Sequence, residues 1–277
     1  MPRHLWTILL STAFTSNALA QHFSAPMPSY QYLQHTELEG LHDNASGVTY
    51  VPDWQTLLVV VDDPETIIEY NTKGEKQRSI ECDGFKDIES ICWLSKSTFA
   101  IAEEGRMRIT LATITPETRF ISSKDHPSFQ LTPPLSKEYD NKGIEGLAYD
   151  AKQNILYAAK EGKPRGIFGI SQPMNPDKRA VRPWNSERIL RLPQRDLSGM
   201  YFDSEEFGLM IVSDESRNLI AVTPEGQVMT RHTLQKGEAT LFPKSVKKAE
   251  GIAMGPDRRI FIVGEPNWLF TLTPKKP

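Results

Sequence analysis

Three glutamates stand where a core strand should open on an apolar residue. Glu89 precedes "SICWL", Glu145 precedes "GLAYD" and Glu250 precedes "GIAMG". Two serines, Ser46 before "GVTYV" and Ser198 before "GMYFD", hold the same place. About sixteen residues further on, each segment meets acid again: Asp62 or Asp63, Glu103 or Glu104, Glu161, Asp214 or Glu215, and Glu265. Carboxylates brought together at ~8 Å repel by about 2 kcal/mol each pair at an effective dielectric near 20. Either protons are then shared between them or a cation sits among them. The donor set is all oxygen, because the histidines beyond His4 (His22, His35, His42, His126 and His232) fall at none of these positions. Hard oxygen donors favour Ca²⁺ over zinc or copper. An acid at a strand start can equally accept hydrogen bonds from a neighbouring unit and lock the two together. No D-x-D-x-D-G loop decides between these readings.

The elements that must position these residues come from a repeat. Units start at Ser46, Glu89, Glu145, Ser198 and Glu250. Each runs through an alternating strand, a polar turn and a second apolar strand ending in acid. Third strands follow in "TIIEYNTKG", "RMRITLATI", "GIFGIS" and "NLIAVTPEG". Fourth strands are read in "EKQRSIE", "TRFISS", "ERILRL" and "QVMTRHTL". Spacings of 43 to 56 residues with four short strands each are those of propeller blades. The last unit ends one strand short at "NWLFTLTPKKP", and a spare strand, "YQYLQHTELE", precedes the first. Pairing the two closes a ring and removes an open edge. The fold expected is therefore all-β: a five-bladed β-propeller of four-stranded antiparallel blades, whose N-terminal strand completes the last blade. First strands line the central channel, so the strand-opening residues and the strand-ending acids meet at one mouth.

Residues 1–20, "MPRHLWTILLSTAFTSNALA", have a basic start, an apolar stretch and a small-residue end. That layout is a cleavable export signal with the cut before Gln21, which makes 21–277 one propeller domain in the periplasm or outside the cell. No transmembrane segment is expected after cleavage, since no other stretch reaches the ~20 apolar residues a span needs. Loss of Arg3 takes the formal charge from −3 to −4, and the remaining basic residues are scattered, which argues against nucleic acid. Export permits a bridge between Cys82 and Cys92, but one closes an outer strand and the other lies in the next inner strand, a poor fit to the ~7 Å limit. Two Pro-rich stretches, 124–142 and 171–187, read as loops, and their Tyr139 and Trp184 either stack a ligand or pin the loops down.

The ordered set "ASGVTY", "DIESICWL", "GIEGLAYD", "LSGMYFD" and "AEGIAM", each leading to an acidic strand end, resembles the SdiA-regulated proteins from about Leu38 to the C-terminus. These are exported or membrane-anchored bacterial proteins, distantly similar to NHL-repeat proteins. The resemblance implies a five-bladed propeller with a calcium ion in the channel. Carried onto this chain, that matches Glu89, Glu145 and Glu250, the ligands that the strand starts themselves suggest, with Ser46, Ser198 and backbone carbonyls or waters completing the shell on that residue reading. Two functions follow. One is a non-catalytic module that binds a ligand or protein partner on one propeller face. The other is a calcium-dependent hydrolase of lactones, esters or phosphoesters, with Glu161 or Asp214 as base. The chain has no G-x-S-x-G, H-E-x-x-H or P-loop.

Overall fold

The computed structural model describes residues 30–132, 142–162, 165–184, 192, 194–236 and 242–275. The leader-like residues 1–20 and Tyr139 lie outside the described residues. No helix among the described residues is long and apolar enough to cross a membrane. The strands form five sheets around one axis, antiparallel except for one added outer strand. β1 (Tyr30–Glu37) comes first in the chain and is joined by its blade last. The first blade holds β2 (Ala45–Val51), β3 (Thr56–Asp62), β4 (Glu65–Tyr70) and β5 (Lys76–Asp83). The second holds β6 (Ile88–Ser95), β7 (Thr98–Glu103) and β8 (Arg108–Thr113), then, after β9 (Phe120–Ser122), β10 (Ser128–Gln130). The third runs through β11 (Ile144–Asp150), β12 (Ile155–Lys160), β13 (Gly166–Ser171) and β14 (Ala180–Pro183). The fourth comprises β15 (Gly199–Asp203), β16 (Gly208–Ser213), β17 (Asn218–Val222) and β18 (Val228–Thr233). The fifth has β19 (Ala249–Met254), β20 (Ile260–Gly264) and β21 (Trp268–Pro274), and β1 pairs antiparallel with β21 from Tyr30↔Pro274 to Glu37↔Trp268. This is the closure that the missing and spare strands predict.

Two outer strands differ from the sequence reading. "TRFISS" is not the fourth strand of the second blade: β9 pairs in parallel with β5 of the first. Ile121 draws it there, buried in the apolar cluster that holds Ile80 and Cys82. The second blade takes its edge from β10, inside the stretch read as a loop. The third blade likewise takes β14 from the 171–187 stretch, and most of "ERILRL" lies outside the described residues. Outer strands of three or four half-exposed residues carry too little alternation to be seen in sequence.

Both faces of each blade are buried, which is why strands such as "LLVVV" (57–61) read as continuous apolar runs. The apolar side chains form five clusters, one between each pair of neighbouring blades. Cys82 and Cys92 fall in different clusters and are free and buried, so they do not bridge.

Neighbouring inner strands touch at the residue after each unit start. A Cβ on Gly47 would lie 2.7 Å from the Glu89 carbonyl oxygen, and one on Gly199 would lie 2.7 Å from that of Glu250. Ser90 fills the same place in the second blade, and its Oγ accepts the Leu147 N–H of the next blade at 3.0 Å. Adding a methyl between two backbones forces them apart, so Gly199→Ala should cost about 1–3 kcal/mol in urea unfolding. Gly166→Ala, with nothing within 4 Å of its Cβ, should stay within about 0.5 kcal/mol of the parent. Equal midpoints for the two variants would remove this account of the inner ring.

Candidate functional site

The five unit starts and most of the strand-ending acids line one cavity of about 320 Å³ at a mouth of the channel. The local backbone explains why they point there. Register slips between Ile88 and Ser90, between Ile144 and Gly146, and between Ala249 and Gly251 leave Glu89, Glu145 and Glu250 out of the ladder. Ser46, with Gly47, is left out in the same way between Ala45 and Val48. A β-bulge re-aims its extra side chain, and here it turns each one out of the blade toward the axis. The strand-ending acids are tied alongside by the turn that precedes each inner strand. Glu104 N–H donates to the Asp87 carbonyl at 2.9 Å, Glu161 N–H to that of Gly143 at 3.0 Å and Glu265 N–H to that of Lys248 at 3.1 Å.

Two of the three adjacent acid pairs are resolved to one member, while Asp214 and Glu215 both enter. Asp62, Glu104, Glu161, Asp214, Glu215 and Glu265 line the cavity, while Asp63 and Glu103 do not. Asp63 is exposed in the turn beyond β3. Glu103 faces the other way, fully buried, and binds Arg106 at 2.8 Å and Arg108. Both are corrections to the expected set, since consecutive residues of a strand point to opposite sides.

Two side chains of the cluster escaped the sequence reading: Asp87, two residues before Glu89, and Asp196. Asp196, two residues before Ser198, also lines the cavity and is buried. Its carboxylate accepts hydrogen bonds from Ser198 Oγ (2.9 Å), Ser213 Oγ, Asp214 N (2.9 Å) and Glu215 N (3.1 Å). It replaces with a side chain the carbonyl bond that ties the acid in other blades. A position inside a loop before the strand carries no repeat signal, which is why both were missed.

Electrostatically the cavity is under tension. Burial pushes the Glu89 carboxyl well above the usual range, and Glu104 and Asp62 push it further. Glu145 is raised in the same way by burial and then by Glu89 and Glu104, and it is hydrogen-bonded to Glu104. Burial brings Glu250 to about 8, with Asp214, Glu265 and Asp196 adding to it. Asp62, Glu104, Glu161 and Asp214 are also raised, each chiefly by burial. Among the described residues no ion pair reaches Glu89, Glu145, Glu250 or Asp62; the rim acid Glu265 pairs with Lys248.

The carboxylate oxygens gather into two close trios. Asp62, Asp87 and Glu89 offer oxygens within 4.8 Å of one another, as do Glu104, Glu145 and Glu161. Glu250 joins neither trio. Asp62 Oδ1 is buried with no hydrogen-bond partner. An acceptor of that kind, inside an all-oxygen donor set, fits a hard divalent cation. Part of the set also does the locking work: Glu104 Oε1 accepts the Gly143 N–H of the next blade at 3.0 Å. Trp184 of the 171–187 stretch pins its loop, packing edge-on against Tyr157 at 5.5 Å.

A family model described as SdiA-regulated matches residues 22–273. The fold is similar to that of a luciferin-regenerating enzyme, with a TM-score of 0.54 and 13% identity over 88% of this chain and 94% of that one. It is also similar to a gluconolactonase from Xanthomonas campestris, with a TM-score of 0.51 and 14% identity over 89% and 95%. A chain of a nidogen/laminin complex matches with a TM-score of 0.51 and 11% identity over 80% and 73%. At such identities the likeness shows the fold alone.

Proposed function

The chain belongs to the SdiA-regulated family, and on that premise we propose that it is an exported, calcium-binding propeller module. The observation that carries this reading is a ring of raised carboxylates with no ion pair to Glu89, Glu145, Glu250 or Asp62 among the described residues. Such a ring is stable either as a set of shared protons or around a cation. A hard cation of Ca²⁺ size accepts six to eight oxygens in loose geometry, which suits side chains converging from five separate blades. Glu89 and Glu145, one from each trio, would hold it together with Glu250, whose carboxylate would have to swing inward to join them, and Ser46 and Ser198 would complete the shell. The cation ties all five innermost strands together and stiffens the ring, leaving the faces to bind a ligand or protein partner. Export rests on the leader-like opening of residues 1–20.

Calorimetric titration tests the metal. Ca²⁺ should bind saturably, and the double variant Glu145→Gln with Glu250→Gln should weaken it by more than tenfold. Unchanged affinity would strike both residues from the ligand set. The hydrolase reading draws on the fold shared with the gluconolactonase. Turnover of a lactone, aryl ester or phosphoester that EDTA abolishes and Ca²⁺ restores would replace the module reading with that one.

A further inference from the structure

The five innermost strands that open on the acid ring end around a second cavity, of about 190 Å³, at the opposite mouth of the channel. Glu145 and Tyr149 are four residues apart on β11, so ~13 Å of strand separates the two ends. The chemistry inverts over that distance. Among the described residues no charged side chain lines the second cavity; Tyr50, Trp93, Tyr149, Tyr201, Phe202 and Met254 stand in its wall.

Several of these walls are fixed in advance. Trp93 Nε1–H donates to the Lys96 carbonyl at 2.9 Å, and the Tyr149 hydroxyl donates to Asn154 Oδ1 at 2.8 Å. The Tyr50 ring lies 3° from parallel to Phe261 with centroids 6.1 Å apart. Tyr201 is different. Its hydroxyl makes no hydrogen bond among the described residues, and burial lifts its phenol well above the usual range, so it remains an O–H donor at neutral pH. Tyr201 is half-buried and its unpaired hydroxyl is not sealed away, so an occupant's oxygen can take it as a donor.

Size and polarity then limit the occupant. An apolar cavity of ~150 Å³ holds benzene, so this one has room for one ring and a small substituent. An anion or an ammonium ion would lose its hydration with no opposite charge in the wall. We propose that this cup binds a small, neutral, single-ring aromatic of the phenol class, its ring between the aromatic walls and its oxygen on the Tyr201 hydroxyl. The cup is independent of the acid ring, and its occupancy does not require calcium.

The test is ¹⁹F NMR titration of the full chain with 4-fluorophenol, with and without EDTA. Saturable binding unaffected by EDTA is expected. Tyr201→Phe should weaken it about three- to tenfold, the share of one hydrogen bond. Ala151→Trp, at an exposed position of the rim, should abolish it without touching the core. Thermal melts establish that each variant is folded, and either one alone suffices. The proposal is overturned by an absence of saturation, by folded variants that bind like the parent, or by binding that needs calcium. Tighter binding of 4-fluorobenzoate or phenyltrimethylammonium would also overturn it, because the occupant would then be charged.

Discussion

Stripped of divalent cations, the protein should be most stable near pH 5 and lose stability up to about pH 8, and calcium should abolish most of that loss. The sign follows from the direction of the shifts. Glu89, Glu145 and Glu250 are all raised in the folded state, Glu250 from 4.5 to about 8. Between those values the folded chain holds protons that the unfolded chain has released, so the stability of the folded state falls as pH rises. Below about pH 4.5 Glu250 is protonated in both states and above about pH 8 it is ionised in both, so its slope vanishes at each end. His232, lowered by burial, acts in the opposite sense but is a single group set against several. Each pKa unit is worth about 1.4 kcal/mol, and channel water screens part of it, leaving roughly 2–4 kcal/mol for the ring. That is a fall of ~5–15 °C in Tm for a chain of this size. Calcium at a hundred times its Kd returns about 2.7 kcal/mol. Glu145→Gln with Glu250→Gln should do two opposite things: raise the Tm of the chelated protein at pH 8 and erase the response to calcium. Melts at pH 5, 6.5 and 8, with EDTA or with calcium, read all of this. A chelated parent that grows more stable from pH 5 to pH 8 would falsify the account of the ring.

How much of this was legible in the chain follows from where each residue sits in its repeat. Glu89, Glu145, Glu250, Ser46 and Ser198 open five equivalent strands, so one period places all of them on one axis, and the structure brings them to one cavity. Closure by β1 was legible as a deficit at one end and a surplus at the other. The bulges were not legible, because nothing in "IEG" or "AEG" distinguishes an extra residue from a paired one. Yet the bulge is what turns the acid from the blade to the channel. The choice of Glu104 over Glu103 depends on the same half-turn of strand, and sequence left it open. Asp196 was hidden because it acts from a loop. The aromatic cup was hidden for another reason. Tyr50, Trp93 and Tyr149 each sit in an alternating strand of their own, and only the ring geometry brings them together.

Arg258→Met should be the most damaging single change outside the apolar core, costing about 2–4 kcal/mol in urea unfolding. Arg258 lies in the turn between β19 and β20, and it reaches across to the turn between β15 and β16 of the fourth blade. Its two terminal nitrogens bind both oxygens of Asp203 at 2.7 Å each, and Nη2 also meets Glu206 at 3.0 Å. The guanidinium stacks over Phe207 at 5.5 Å, and the Arg258 carbonyl accepts the Tyr30 hydroxyl at 2.8 Å. One residue thus joins the fourth blade, the fifth blade and the closing strand β1. Burial alone would raise the Asp203 carboxyl, but Arg258 and the backbone N–H groups of Phe207 and Glu205 hold it below the usual range. This contribution is therefore present at neutral pH and fades only as acid approaches and passes the depressed value. Methionine keeps the packing on Phe207 and leaves Asp203 buried without its cation. Lysine should recover little, since one ammonium cannot reproduce the two-pronged contact. Adding Asp203→Asn to Arg258→Met should restore more than 1 kcal/mol, because the stranded charge is removed with its partner. A loss below about 1 kcal/mol for Arg258→Met, or strict additivity in the double variant, would mean that the ring is closed by β1 pairing and apolar contact alone.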